Sequence, residues 1–187
     1  MVDTPDFDIQ PTLTAEKVML RPLRADDHQA LYGVASDPEI WAMHPYRDRY
    51  RREVFDGFFA EALASNGAFA IIDQVSGDMI GSTRFANYCA ADSEIEIGWT
   101  FFARLYWRSG YNREVKALML GYIFQHVETT VFQIGATNFR SRTAIERLGA
   151  KLSLEYVREY QGQMQDYVMY RLTAEDAGSG ALGVNKA

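Results

Sequence analysis

With 187 residues, 48% of them hydrophobic and 24% charged, the chain has the proportions of one globular domain with its own core, which excludes a disordered or fibrous protein. A formal net charge of -6 gives no general attraction for nucleic acid or for an anionic membrane. The one cysteine, Cys89, rules out an intrachain disulfide and a cysteine-built metal site, and with no histidine near it in sequence it reads as buried filler, not a nucleophile.

The opening MVDTPDFDIQPTL is acidic where a signal peptide is basic and then apolar, and no apolar run reaches the length of a membrane span. A cytoplasmic location is the expectation. Residues 1–13 and the small-residue stretch 174–187 read as flexible tails around a domain at 14–173. Within it Val18, Leu20 and Leu23 predict a first strand, and Ala25-Asp26-Asp27 a helix start leading into Gln29 to Tyr32. Val54, Phe55, Phe58, Phe59, Ala62 and Leu63 recur at helical spacing over Arg51 to Ala64.

Ala68 to Asp73 and Met79 to Phe85 flank a glycine-bearing turn and predict a hairpin. Glu94 to Phe101 alternates as a strand, and Val115, Leu118, Met119, Tyr122 and His126 mark a long helix after it. Val131 to Ala136 predicts another strand, and a short helix from about Phe139 to Arg147 stops at Gly149. Leu152 to Tyr160 and Tyr167 to Leu172, joined by a turn over 161–165, close the domain. The order is β-α-α-β-β-β-α-β-α-β-β.

Tyr106-Trp107-Arg108-Ser109-Gly110-Tyr111-Asn112-Arg113-Glu114 joins a strand to the longest helix. The first N–H groups of a helix lack intrahelical partners and, with the helix dipole, bind anions, so this junction suits phosphate. Gly110 as a plain turn residue and Trp107 as core are the alternative.

The segment resembles the coenzyme A pyrophosphate loop of GNAT acetyltransferases, Q/R-x-x-G-x-G/A, and the Y-W-G-x-G-Y-A-T-E-A pattern of their RimJ/RimL-type branch. Tyr106, Trp107, Gly110, Tyr111 and Glu114 match; Asn112 and Arg108 depart from it. Asn138-Phe139-Arg140-Ser141-Arg142-Thr143-Ala144-Ile145-Glu146-Arg147-Leu148-Gly149-Ala150 resembles the branch's N-x-R-S-x-x-A-I-E-K-x-G-A segment. The hairpin at 70–81 and the strand Glu94-Ile95-Glu96-Ile97-Gly98-Trp99 agree.

The resemblance implies an α+β GNAT fold: a mixed, mostly antiparallel sheet of about seven strands flanked by helices, with the fourth and fifth strands splayed into a cofactor cleft. It implies acetyl-CoA as cosubstrate, an amine acceptor, and no metal, nucleic acid or membrane, in a monomer or homodimer. Cofactor contacts would come from Thr100, Phe101 and Phe102, from Arg108, Ser109, Gly110, Tyr111, Asn112 and Arg113 at the phosphates, and from Asn138 and Arg142. Asn138 as a mere helix cap stays open.

Attack on a thioester needs a neutral amine and stabilisation of the departing sulfur. Glu96 stands where the resemblance places a glutamate base, on the strand face opposite Ile95 and Ile97; Glu94 shares that face and competes. The tyrosine that many GNAT enzymes use as general acid falls at Ile145, so Ser141 is the replacement, with an ordinary cap as its alternative. The acceptor is expected over Asp37 to Arg47, where Trp41, His44 and Tyr46 are candidate contacts unless the aromatic rings only cover the core. His28, His44 and His126 lack metal-ligand spacing. Gly178-Ser179-Gly180-Ala181-Leu182-Gly183 matches G-x-G-x-x-G with no room for a nucleotide unit after it. The competing function is a non-catalytic domain that binds acetyl-CoA as a sensor or partner-binding module.

Overall fold

The computed structural model describes residues 3–160 and 162–179. Eight strands form one sheet: β1 (Leu13–Thr14), β2 (Val18–Pro22), β3 (Ala68–Asp73), β4 (Met79–Cys89), β5 (Glu94–Phe102), β6 (Thr129–Gly135), β7 (Lys151–Tyr160) and β8 (Gln163–Thr173). Their spatial order is β1-β2-β3-β4-β5-β6-β8-β7, and every pair is antiparallel except β5–β6. The helices are α1 (His28–Ala35), α2 (Pro38–Trp41), α3 (Arg52–Ala64), α4 (Tyr111–Ile123), α5 (Phe139–Glu146) and α6 (Ala174–Ser179).

Two apolar clusters lie on the two faces of this sheet. Ile95, Ile97, Phe85 and Phe132 pack with Val115, Met119, Leu120 and Ile123 of α4 on one face. On the other, Ala68, Ala70, Ile72 and Phe101 pack with Leu31, Trp41 and the α3 stripe of Phe55, Phe58, Phe59 and Ala62. That i, i+3, i+4, i+7 spacing makes α3 a helix with one buried face, and burying each phenyl ring is worth about 2–3 kcal/mol. Strand β3 is buried at all six positions because helices cover it on both sides. The α4 crossover makes β5 and β6 the parallel pair, since parallel neighbours need a long connection.

Several boundaries differ from the sequence expectation. The last hairpin keeps its ladder further than the expected turn over 161–165 allows, with Tyr160 opposite Gln163 and Gly162 at φ +74. Gln163, Met164 and Gln165 look like a loop because both faces of that hairpin arm are polar or exposed, yet they complete the ladder. The short β1 and α2 carry too few residues to show a period. The expected tails are packed where they are described: Phe7 stacks on His126 at 4.3 Å, and α6 buries Ala177 while Asp176 pairs with Lys151 at 2.7 Å. Residues 180–187, with most of the G-x-G-x-x-G match, lie outside the described residues. Among the described residues, no helix is long and apolar enough to cross a membrane.

Candidate active site

Strands β5 and β6 pair at only three positions, Glu94–Thr129, Ile95–Thr130 and Glu96–Val131. Beyond them β6 stays with β8 to Gly135 while β5 runs on with β4 to Phe102, so the sheet opens into a V. A bulge starts the departure. Ser82 faces Phe101 and Arg84 faces Gly98, leaving Trp99 and Thr100 opposite Thr83 alone, and Trp99 takes φ +51. On the α4 face, Thr100 Oγ1 is held by Lys116 Nζ and by Thr83 Oγ1, both at 2.7 Å.

The chain then coils through Arg104–Tyr106 into Gly110, which caps α4 at φ +91 with no side-chain cap bond. An L side chain at this φ is strained, while the space a Cβ would enter holds only Lys17 Nζ at 3.7 Å. Uncapped amides, open space and a cation fit a diphosphate. Lys17 also donates to the Ser109 carbonyl at 3.5 Å. Glu114 fixes the helix end by accepting from the Lys17 and Val18 amides at 2.6 and 3.3 Å. Lys17 escapes sequence reading because 92 positions separate it from Ser109 and nothing local marks it.

The proposed phosphate residues split in role. Arg108 (φ +60), Ser109, Gly110 and Arg113 are exposed around the helix start, whereas Tyr111 turns its hydroxyl to Asp73 at 3.0 Å and braces the loop against the β3–β4 turn. Phe101 and Phe102 bury their side chains at 6% exposure each, leaving backbone as what they can offer a ligand.

At the vertex of the V, Glu96 is 6% exposed and its Oε2 accepts from Asn87 Nδ2 at 2.6 Å and Gln133 Nε2 at 2.8 Å. Burial raises its pKa above the ordinary carboxylate value, against the opposing pull of those two bonds. Oε1 lies over Gly98, 3.3 Å from where a Cβ would stand. Glu94, the competing acid, is ion-paired with Arg171 at 3.0 Å at the closed end of the strand.

Across the cleft, Asn138 is buried and caps α5, accepting from the Ser141 amide at 3.2 Å. Asn138 therefore fills the cap role that was open for Ser141, whose hydroxyl has no hydrogen bond among the described residues. Arg142 does not face the cleft freely: it donates to the Tyr170 hydroxyl at 3.0 Å and the Ala136 carbonyl at 2.9 Å. Its sequence position within the motif gave no sign that β8 lay beneath it.

On the α1–α3 face, Trp41 is 2% exposed, donates to the Ala35 carbonyl at 2.7 Å and packs on Phe101. It is core, not an acceptor contact, because α2 turns its ring inward. His44 is half-buried; its Nδ1 accepts from the Tyr46 amide at 2.9 Å, and burial, then the Arg49 charge, hold it well below its usual pKa and hence neutral. Tyr46 is hydrogen-bonded to Tyr167, and the Pro45 ring packs against Gly135, so this loop roofs the end of β6.

Residues 17–151 match the acetyltransferase (GNAT) domain family. The fold resembles a GCN5-related N-acetyltransferase from Brucella melitensis, with TM-score 0.79 and 21% identity over 89% of this chain and 80% of that one. It also resembles RimJ of Mycobacterium smegmatis, solved with CoA-disulfide, with TM-score 0.70 and 17% identity over 93% and 91% of the two chains. A third neighbour is spermidine N-acetyltransferase from Vibrio cholerae, solved with CoA and spermine, with TM-score 0.68 and 15% identity over 86% and 98%. The family match covers most of the chain and the overall fold agrees with these neighbours; the chain belongs to the GNAT acetyltransferase family.

Proposed function

We propose that the chain is an N-acetyltransferase of the RimJ/RimL-type branch that moves the acetyl group of acetyl-CoA to a primary amine, on a protein amino terminus or a small molecule, by direct attack in a ternary complex. The observation that carries this reading is the buried Glu96 at the vertex of the V, with the uncapped α4 terminus on the same opening. Two neighbours solved with coenzyme A species, one of them a RimJ, support it.

Lys17, Arg108, Arg113 and the first amides of α4 would hold the phosphates, and backbone at Thr100 to Phe102 the acyl end. Acetyl-CoA supplies an activated thioester. Glu96 Oε1 receives the proton of the acceptor nitrogen, and its raised pKa brings it nearer to neutrality, where a base is most effective. Ser141 Oγ–H, with no competing partner among the described residues, supplies a proton on the leaving-group side. His44, neutral and beside Tyr46, lines the acceptor approach without adding charge.

The test is release of free thiol from acetyl-CoA across a panel of amines and peptides, with cofactor binding followed separately by melting temperature. Stabilisation without turnover of any amine would leave the sensor reading in place of the enzyme.

A further inference from the structure

On the α1–α3 face the acetyl-transfer machinery gives Arg84 no task. Arg84, in the middle of β4, is 5% exposed, and its Nε and Nη2 have no hydrogen-bond partner among the described residues. Its guanidinium lies over the Trp99 ring at 4.6 Å and near the Phe58 ring at 5.8 Å. These rings fix the guanidinium but offer it no acceptor atom. The acid on the same face, Glu96, is engaged instead by Asn87 and Gln133. Glu61, exposed on α3, and Glu96 both act on Arg84 through their charges, and neither makes a hydrogen bond to it.

A buried guanidinium edge left unpaired is costly, and an anion brought against it would satisfy both N–H groups at once. Burial lowers Arg84 only to about 10, so it remains charged at neutral pH. Nε and Nη2 form one side of the guanidinium, and their parallel N–H bonds match the two oxygens of a carboxylate. The surroundings agree in sign. Arg49, 7% exposed, stacks on the same Phe58 ring at 4.5 Å, and Arg158 acts on Glu96 through its charge, in a chain whose net charge is -6.

Register sets the span. Arg84 faces Gly98 and Ala86 faces Glu96, so Arg84 and Glu96 are one same-face step apart, about 7 Å along the strand. We propose that Arg84 anchors the carboxylate of a small amino acid-like acceptor and thereby presents its amine to Glu96. The inference rests on the acetyltransferase reading of this site and narrows its acceptor. A polyamine, with several cations and no anion, leaves the Arg84 edge unpaired.

The test compares matched acceptors by thiol release from acetyl-CoA: the common amino acids, β-alanine and γ-aminobutyrate against their carboxamides and decarboxylated amines, with spermidine and an amidated peptide in the carboxylate-free arm. The wild type is expected to favour the carboxylate arm in kcat/KM by about 10- to 100-fold, the range for one charged hydrogen-bonded contact. Arg84→Met should bring the ratio of the two arms close to one, mainly through KM, and Arg84→Lys, which keeps the charge and loses the fork, should fall between. A melting shift with acetyl-CoA confirms that each variant is folded; if Arg84→Met is not, the wild-type preference and the lysine variant decide. Equal turnover of both arms by the wild type, or a preference that survives Arg84→Met, overturns the anchor and leaves the acetyltransferase reading standing. No thiol release in either arm overturns both.

Discussion

Replacing Lys116 by methionine separates the energetic cost of the α4 face from its architecture. Lys116 is 4% exposed, and its Nζ meets Thr100 Oγ1 at 2.7 Å beside Thr83 and Met119, with no carboxylate facing it among the described residues. Burial pulls its pKa from 10.5 to about 7. Between those values the unfolded chain binds a proton that the folded chain does not, so this group makes stability rise with pH by about 1.4 kcal/mol per unit. At pH 7 the lysine costs the fold about 4 kcal/mol relative to pH above 10.5, a large fraction of an ordinary domain's stability. Methionine fills similar volume without a charge, and Thr100 keeps its bond to Thr83. Urea unfolding at pH 6.5 to 9.5 should show Lys116→Met more stable than wild type by about 2–4 kcal/mol at pH 7, with the gap closing by about 1.4 kcal/mol per pH unit. Groups that titrate in both proteins cancel in this difference. A variant less stable at pH 7, or a gap independent of pH, refutes the reasoning.

Glu96→Gln should lower kcat/KM strongly near neutrality and recover in part at high pH, where the amine is already deprotonated; in the wild type, activity should fall as acidification protonates Glu96 at a pKa above the ordinary carboxylate value. Wild-type rates in Glu96→Gln would remove it as base. Ser141→Ala should reduce kcat while melting temperature and coenzyme affinity stay near wild type, because Asn138 is the cap; a loss of stability alone would return Ser141 to a structural role. Lys17→Ala should weaken acetyl-CoA binding about 10-fold, read as a smaller melting shift, and an unchanged shift would move the phosphates away from the α4 terminus.

The parts legible in sequence were those in which neighbours along the chain are also neighbours in space. The α3 stripe, the glycine-bearing β3–β4 turn and the Gly110 helix start each declare themselves within a dozen residues, and the resemblance added the V. What stayed hidden depends on contacts between distant strands. Nothing near Arg84 in sequence shows that α3 and Trp99 cover it, nothing near Lys116 shows that Thr100 lies against it, and Arg142, expected at the cofactor, is engaged by Tyr170 of β8. Trp41 failed as an acceptor contact for the complementary reason: the turn at α2 aims its ring at the core, which aromatic composition cannot reveal.

The bulge in β5 links these hidden residues. Before it, simple alternation places Ile95 and Ile97 on the α4 core and Glu96 on the α1–α3 face. The extra residue at the bulge inverts that alternation: Thr100, four residues beyond Glu96, lies on the α4 face and Phe101 joins the α3 cluster, with Trp99 taking up the insertion at φ +51. The consequence is a division of labour across one strand. Its α1–α3 face carries the acid and the Arg84–Trp99 stack, where an acceptor needs charge recognition, while its α4 face carries a lysine near neutrality bound to Thr100. Trp99→Gly relieves the backbone strain but deletes the ring that fixes Arg84, so it should loosen carboxylate discrimination while leaving the fold intact.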